Sequence, residues 1–364
     1  MKTRAICAAA LLALAPLFAL GADEGLRFST RLSTKASLSS DLGFSSAPSI
    51  GSAASLGFLL EGSRGNASFR AGTRLSLLQG TQASELWLAK SMPGALSDYL
   101  LMTPAFDPAA AAPSLILALA LEELALRSYA GPFAFEAGLS HANWGLGRAF
   151  SPADYFTDID YSSGQPARRS LLLAKALWYP DPTSSLELVL TPSSKLGKAL
   201  ALRAYTSLGH AATLAVSAGI QRAEGSSGEL ALAGAELSLD LPLVSVYAES
   251  AFVFDPYSNW DFSYSIMGGG ETRIADLVIS AEYLFAPDEA AVHSSYATLA
   301  WTIDEWFSLA LPLVFQPSPE YLRLGLSLSA SSLGSMDYTA ILFFQKTASS
   351  GWSAGLVLQA GLAF

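Results

Sequence analysis

The sequence predicts an all-β fold, a transmembrane antiparallel up-and-down β-barrel of 16 or 18 strands. Three observations predict it. Beyond residue 26 the chain is a succession of segments in which apolar residues recur at every second position, the side-chain period of a strand. Apolar residues make up 51% and charged residues 14%, whereas about 25% charged is usual for a soluble domain. A lipid-facing surface has to shed the charge that a water-facing one keeps. Finally, no stretch reaches the roughly 20 apolar residues of a membrane helix, so any spans must be strands.

The N-terminus reads as a secretory signal peptide. Lys2 and Arg4 form a short basic region, Ile6 to Leu20 is uncharged and apolar, and Ala19-Leu20-Gly21 is a small-x-small cleavage site. Cleavage removes 1–21, or 1–22 if it follows Ala22, and leaves 22–364 as a single barrel domain. The one cysteine, Cys7, leaves with it. The mature chain is then without disulfide or thiol chemistry and is not a lipoprotein. The formal net charge of −10 becomes more negative on processing, which argues against nucleic acid as a partner.

Leu26 to Leu38 is the first strand. Leu26, Phe28, Thr30, Leu32, Thr34, Ala36 and Leu38 share one face, and Arg27, Ser29, Arg31, Ser33, Lys35 and Ser37 the other. A helix would scatter these charges around its circumference. Ala67 to Leu77 repeats the design, with Phe69 and Leu75 opposite Arg70, Gly72 and Arg74. Phe133 to Leu139 sets its apolar residues against Glu136, Leu186 to Leu190 places Glu187 between leucines, and Leu200 to Tyr205 sets Leu200 and Leu202 against Arg203. Val244 to Phe254 opposes Val246 and Phe252 to Tyr247 and Glu249, and Trp260 to Ile266 opposes its aromatics to Asp261, Ser263 and Ser265. Leu277 to Phe285 sets Ile279 and Tyr283 against Asp276, Ser280 and Glu282, and Leu322 to Leu328 sets four leucines against Arg323, Gly325 and Ser327. Gly268-Gly269-Gly270 reads as a turn. Roughly nineteen such runs occur, one more than an even-numbered barrel allows. The excess falls in the first four, between Leu26 and Lys90. Aromatics near run ends, as at Trp178-Tyr179, Phe252 and Phe254, and Trp306-Phe307, suit interface girdles.

Two stretches break the rhythm. Ser91 to Pro113 reads as a loop with a short helix, and its continuation Ser114 to Leu126 as a strand with a bulge near Glu122-Glu123 or, alternatively, a short buried helix. Asn143 to Arg169 is too polar and too rich in Gly, Pro and Asp for a strand and too long for a plain hairpin. Parity places its start on the extracellular side. Its Trp144, Phe150, Tyr155 and Phe156 need something to pack against, so the loop is expected to fold at least partly inward as a constriction, together with Asp154, Asp158 and Asp160.

The chain closes on a strand, Gly351 to Phe364, with Ala354, Leu356, Leu358, Ala360, Leu362 and Phe364 on one face. This ending resembles those of bacterial outer-membrane β-barrels. The resemblance implies that Leu358, Leu362 and Phe364 act as an assembly signal for the barrel-assembly machinery, and that the bacterial outer membrane and its lipid are the setting. A second resemblance rests on Gly138, His141, Asn143-Trp144-Gly145-Leu146-Gly147, Phe150, Pro152, Asp154-Tyr155-Phe156, Arg168-Arg169, Tyr179-Pro180 and Leu186-Glu187-Leu188-Val189. The segment is similar to porin-like outer-membrane barrels of spirochaetes and other Gram-negative bacteria, departing from them at Ala149, where an acidic residue is expected. It covers roughly a sixth of the chain and implies a barrel with passive transport.

Catalytic and metal chemistry finds no footing in the residues. His141, His210 and His293 share no metal-ligand spacing, and no cofactor motif is present. Ser140, His141 and Asn143 invite comparison with the outer-membrane phospholipase, but Asn143 stands where its catalytic serine should be. Asp154, Asp158 and Asp160 invite comparison with outer-membrane aspartyl proteases, yet aspartates in a Pro/Gly loop are more often turn formers. The inward faces instead suggest a wet channel for small polar solutes. Pore-lining candidates are Arg27, Arg31, Lys35, Arg70, Arg74, Arg203 and Arg323, with Glu236, Glu249, Asp261, Asp276 and Glu282. The basic residues gather near the two chain ends, which closure would join, and the acids lie mid-chain and later. Opposed arcs of charge across the lumen are therefore expected. A surface structural or adhesive barrel and a carrier for hydrophobic small molecules are the alternatives.

Overall fold

A computed structural model of the chain describes residues 27–41, 49–84, 100–102, 114–156, 159–160, 167–168, 170–194, 197–222, 228–257, 261–288, 292–332, 336–348 and 351–363. The signal peptide, Asp158, Phe364 and most of 91–113 lie outside them. The architecture is a closed antiparallel barrel of 18 strands. These are β1 (Arg27–Asp41), β2 (Ser49–Arg64), β3 (Ala67–Gly80), β4 (Leu115–Ala130), β5 (Phe133–Ser140), β6 (Leu171–Asp181), β7 (Ser184–Ser194), β8 (Gly197–Leu208) and β9 (Ala212–Arg222). There follow β10 (Leu230–Asp240), β11 (Val244–Asp255), β12 (Asp261–Ile274), β13 (Leu277–Phe285), β14 (His293–Thr302), β15 (Phe307–Gln316), β16 (Tyr321–Ser332), β17 (Met336–Thr347) and β18 (Gly351–Ala363). Each strand pairs with its sequence neighbours, and β18 closes on β1 with Lys35 opposite Gln359 and Arg31 opposite Ala363. Closure leaves no free edge, so every strand satisfies its backbone groups on both sides, as a wall surrounded by hydrocarbon requires. Between residues 26 and 90 the described strands are β1, β2 and β3, and 85–90 lie outside the described residues.

The two ends of the barrel differ. Connections from even to odd strands are tight, as at Gly65-Asn66, Gly131-Pro132 and Ala275-Asp276, whereas 81–114 and 141–170 both leave from the other end. Short periplasmic turns and longer extracellular loops are the usual arrangement of outer-membrane barrels. Gly65 sits at φ +55, a left-handed conformation in which a side chain would be strained.

Alternation assigns the faces. Leu188, Leu190, Leu200, Leu202, Val216 and Ile220 point outward and are exposed, while their neighbours Glu187, Val189, Ala201, Ser217 and Gln221 point inward and are buried. The bulge expected near the glutamates is present. The register of β3 against β4 slips between Gly72 and Thr73, opposite Glu123 and Leu121. Two readings are corrected. Gly268-Gly269-Gly270 is the middle of β12, not a turn. A Cβ on Gly269 would collide with the ring of Tyr247, so the glycine marks a close cross-strand approach. Asp276 is not an inward strand residue but part of the Ala275-Asp276 turn, with Ala275 at φ 51. Ile274 pairs with Leu277, so β13 begins at Leu277, as the sequence suggests, and Asp276 falls just before it.

Candidate functional site: the barrel lumen

The inward wall is built in two halves. From β6 to β15 it carries the first part of the 141–170 connection. Trp144, Tyr155 and Phe156 pack with Leu171 and Leu173 of β6, Val189 of β7, Ala199 and Ala201 of β8, Leu232 of β10 and Ala251 of β11. Ala149 and Phe150 pack with Met267 of β12 and Tyr296 of β14, with Tyr247, Leu284 and Val314 alongside. These partners are inward-facing, so segment 142–156 lies on the inner surface. Trp144 is fully buried and meets Phe156 edge-on at 4.9 Å and Tyr155 at 6.2 Å. Edge-to-face contacts of this kind add to simple burial. Burial pushes the Tyr155 phenol up to about 12. Its hydroxyl is 3.2 Å from Ser217 Oγ.

The docking is polar as well as apolar. The Trp144 indole donates to Glu187 Oε2 at 3.0 Å. Glu249 Oε1 accepts from the backbone N–H groups of Leu146 and Gly147, and its Oε2 from Ala153 N–H at 3.2 Å and Ser151 Oγ at 3.3 Å. Glu282 Oε1 accepts from Arg148 N–H at 2.6 Å and Tyr247 O–H at 2.8 Å. Its Oε2 accepts from the N–H groups of Ala149 and Phe150, both at 2.9 Å. Two wall carboxylates thus satisfy six backbone donors of a segment with no secondary structure of its own. Charge-assisted bonds of this type are about twice as strong as neutral ones. The Arg148 guanidinium reaches Glu271. Asp154 is buried and accepts from Phe156 N–H at 3.1 Å, fixing the turn that presents the two aromatics. Asp160 lies in the short Ile159–Asp160 strand, which pairs with Ala167–Arg168.

The other half, from β16 through β18 to β4, carries most of the basic candidates. Arg31 reaches Asp337 at 3.3 Å across β18. Arg70 pairs with Glu61 at 2.5 Å and Glu123 at 3.2 Å, and Arg74 with Glu122 at 2.8 Å. Arg323 stacks over Phe343 at 4.7 Å. Among the described residues Arg27 and Lys35 have no ion-pair partner. Mid-chain, Arg203 pairs with Glu236 at 2.7 Å, and Glu136 is held by Arg127 and Lys175. Asp261 opens β12 opposite Asp255. The opposed arcs expected from spacing are therefore replaced by local pairs. Glu236, Glu249 and Glu282 are all occupied, and the cations on β3 are matched by Glu61, Glu122 and Glu123, which are not among the pore-lining candidates read from the sequence. Arg148, Arg127, Lys175 and Glu187 also belong to the inner surface. Glu187 was legible as a carboxylate between leucines, whereas Arg148 carried no signal beyond its place in the loop. On β18, Leu358 and Leu362 are on the outward face, paired with Ala340 and Met336 of β17.

His141 Nε2 lies 3.2 Å from Ser170 Oγ, while the Ser140 hydroxyl donates to Glu136. Among the described residues no carboxylate engages His141 Nδ1, and no group of histidine, cysteine and carboxylate side chains could hold a metal.

No protein-family model matches the chain. No curated protein matches it either. Solved structures do. OccAB4 of Acinetobacter baumannii is similar with a TM-score of 0.59 at 8% identity, over 94% of this chain and 98% of that one. OccK11 (OpdR) of Pseudomonas aeruginosa gives 0.61 at 9% identity, over 94% and 97%. OpdK of Pseudomonas aeruginosa, solved with vanillate, gives 0.57 at 8% identity, over 93% and 98%. At such identities the likeness is one of fold: the chain shares the closed barrel of the Occ outer-membrane proteins from end to end.

Proposed function

We propose that the protein is a porin-like channel of the bacterial outer membrane, set in outer-membrane lipid, inserted by the barrel-assembly machinery, and passing small polar solutes by passive diffusion. The observation that carries this reading is the division of the wall. Its outward face is apolar, its inward face carries ion pairs and hydroxyls, and among the described residues segment 142–156 lines the inner surface from β6 to β15 while Ala83 packs against Ile116 and Ala118 of β4. A barrel of 18 strands encloses more space than inward side chains alone can fill. The wall on the β1 side carries Arg27 and Lys35, without an ion-pair partner among the described residues, and these favour anionic solutes, small carboxylates such as the vanillate of OpdK among them. A carrier for hydrophobic molecules needs a greasy path, which the charges on β1 to β4 oppose. An adhesive barrel needs no path at all.

Purified protein in planar bilayers should give discrete conductance steps. Deleting Ser151 to Gln165 should enlarge them. A folded, inserted barrel without conductance would place the protein among structural barrels instead.

A further inference from the structure

Resting on the channel reading above, we propose that Glu249 and Glu282 are positioning residues that dock segment 142–156 only as ionised acceptors, so that protonating them releases the segment and widens the pore in acid. The argument is one of donor and acceptor count. Both oxygens of Glu249 are engaged, by the N–H groups of Leu146, Gly147 and Ala153 and the Ser151 hydroxyl. Both oxygens of Glu282 are engaged, by the N–H groups of Arg148, Ala149 and Phe150 and the Tyr247 hydroxyl. The six backbone partners can only donate; the Ser151 hydroxyl, which is also 3.3 Å from Trp144 O, and the Tyr247 hydroxyl are the partners that can turn and accept. Protonation puts a hydrogen on one carboxyl oxygen and turns charge-assisted bonds into neutral ones, so the grip on the segment's N–H groups weakens at each site even where a hydroxyl turns to accept. Buried backbone N–H groups left unpaired are costly, and water reaches them only if the segment lifts away.

Among the described side chains that face the two glutamates, the charged ones are already committed. Glu249 faces Glu236 from β10, which is committed to Arg203 of β8, Met267 from β12, and Tyr155 of the docked segment itself. Glu282 faces Tyr247 from β11, Tyr296 from β14, Glu271 from β12, and Arg148 of the segment, whose guanidinium is committed to Glu271. The dipoles of the N–H groups, not a neighbouring cation, hold each carboxylate. The anchors sit on the rigid wall and the donors on the segment. Release therefore breaks none of the strand ladder, and the barrel stays closed while its inner half is uncovered.

Thiol labelling reads docking directly, because Cys7 is the chain's one cysteine and belongs to the expected signal peptide. Ala149, at 1% exposure, is the reporter position. The full-length barrel carrying Ala149→Cys, alone and with Glu249→Gln and Glu282→Gln, is assayed with a membrane-impermeant thiol reagent and in planar bilayers. At neutral pH the doubly amidated barrel should label roughly tenfold faster or more and conduct more. The barrel with both glutamates intact should make the same change, reversibly, on acidification from pH 7. A pyridyl disulfide, which reacts with thiols in acid, follows that arm. Slow labelling and unchanged conductance in the doubly amidated but heat-modifiable barrel would overturn the proposal. If that variant fails to insert, the acid arm decides, and labelling and conductance that do not respond to pH overturn it equally. Absence of conductance in every form would sink the channel reading, while the labelling would still report whether the two glutamates dock the segment.

Discussion

Replacing Trp144 should undock the inner segment without melting the barrel. The residue is fully buried, its ring meets Phe156 at 4.9 Å and Tyr155 at 6.2 Å, and its indole donates to Glu187 at 3.0 Å. Truncating a buried Trp to Ala costs about 3–5 kcal/mol. Of that, a hydrogen bond to a charged acceptor accounts for about 1.5–3 kcal/mol. The loss falls on the docking equilibrium because no strand–strand pairing involves Trp144; a loss of about 3 kcal/mol shifts that equilibrium by roughly 150-fold. Trp144→Phe keeps most of the packing and removes the donor, so it should fall between wild type and Trp144→Ala. The assay pairs single-channel conductance with proteolysis of the intact barrel, in which the released segment becomes a substrate. Both should rise in the order wild type, Phe, Ala, with heat-modifiability unchanged. Wild-type conductance and protease resistance in a folded Trp144→Ala barrel would refute the reasoning, since the cluster would then contribute nothing to holding the segment.

Three further outcomes are expected. Removing Phe364, or replacing it with Asp, should reduce the amount of heat-modifiable barrel in the outer membrane; accumulation at the wild-type level would show that the C-terminal strand is not read as an assembly signal. Replacing Lys35 and Arg27 with Ser should move the reversal potential in a salt gradient towards cation selectivity, because among the described residues neither is in an ion pair, and Glu61, the cross-strand neighbour of Arg27, is held by Arg70. Docking should also weaken in base. Tyr155 is held neutral up to about 12, against about 10 when free in water, so its contribution is complete below pH 10 and is lost as pH rises to about 12. Protease sensitivity of the segment that stays constant over that window would show that Tyr155 does not leave its buried site with the segment.

Most of the barrel was legible because a wall between lipid and water imposes period two on nearly every residue. The misreadings are local and have identifiable causes. A run of three glycines ordinarily signals a turn, but here Gly269 makes room for the Tyr247 ring, which then reaches Glu282. The true turn nearby, Ala275-Asp276, contains neither glycine nor proline, and Ala275 adopts a left-handed φ of 51 that no composition rule anticipates. The bulge in β4 was legible because Glu122 and Glu123 are adjacent and a regular strand would send one of them outward. The slip lets both reach arginines on β3, Arg74 and Arg70.

The site was legible as faces but not as partners. Alternation states that Glu249 and Glu282 point inward. It does not state whether they meet water or a segment arriving from elsewhere. The donors that fill them are backbone N–H groups, which almost any residue supplies and which therefore leave no trace in composition. The same applies to Arg31, whose partner Asp337 is 306 positions away and is brought near only by closure. A field inferred by counting inward charges is therefore an upper bound, because each carboxylate that docks a segment or matches an arginine is removed from it. After those removals the imbalance lies with Arg27 and Lys35 on β1, opposite the covered half of the wall. Arg70 is a poor place to test selectivity, since removing it would uncover Glu61 and Glu123 and change two charges' surroundings at once. Among the described residues Lys35 holds no carboxylate, so its replacement removes one charge and uncovers none of them, and a reversal potential that ignores Lys35 would mean that solutes do not pass along β1.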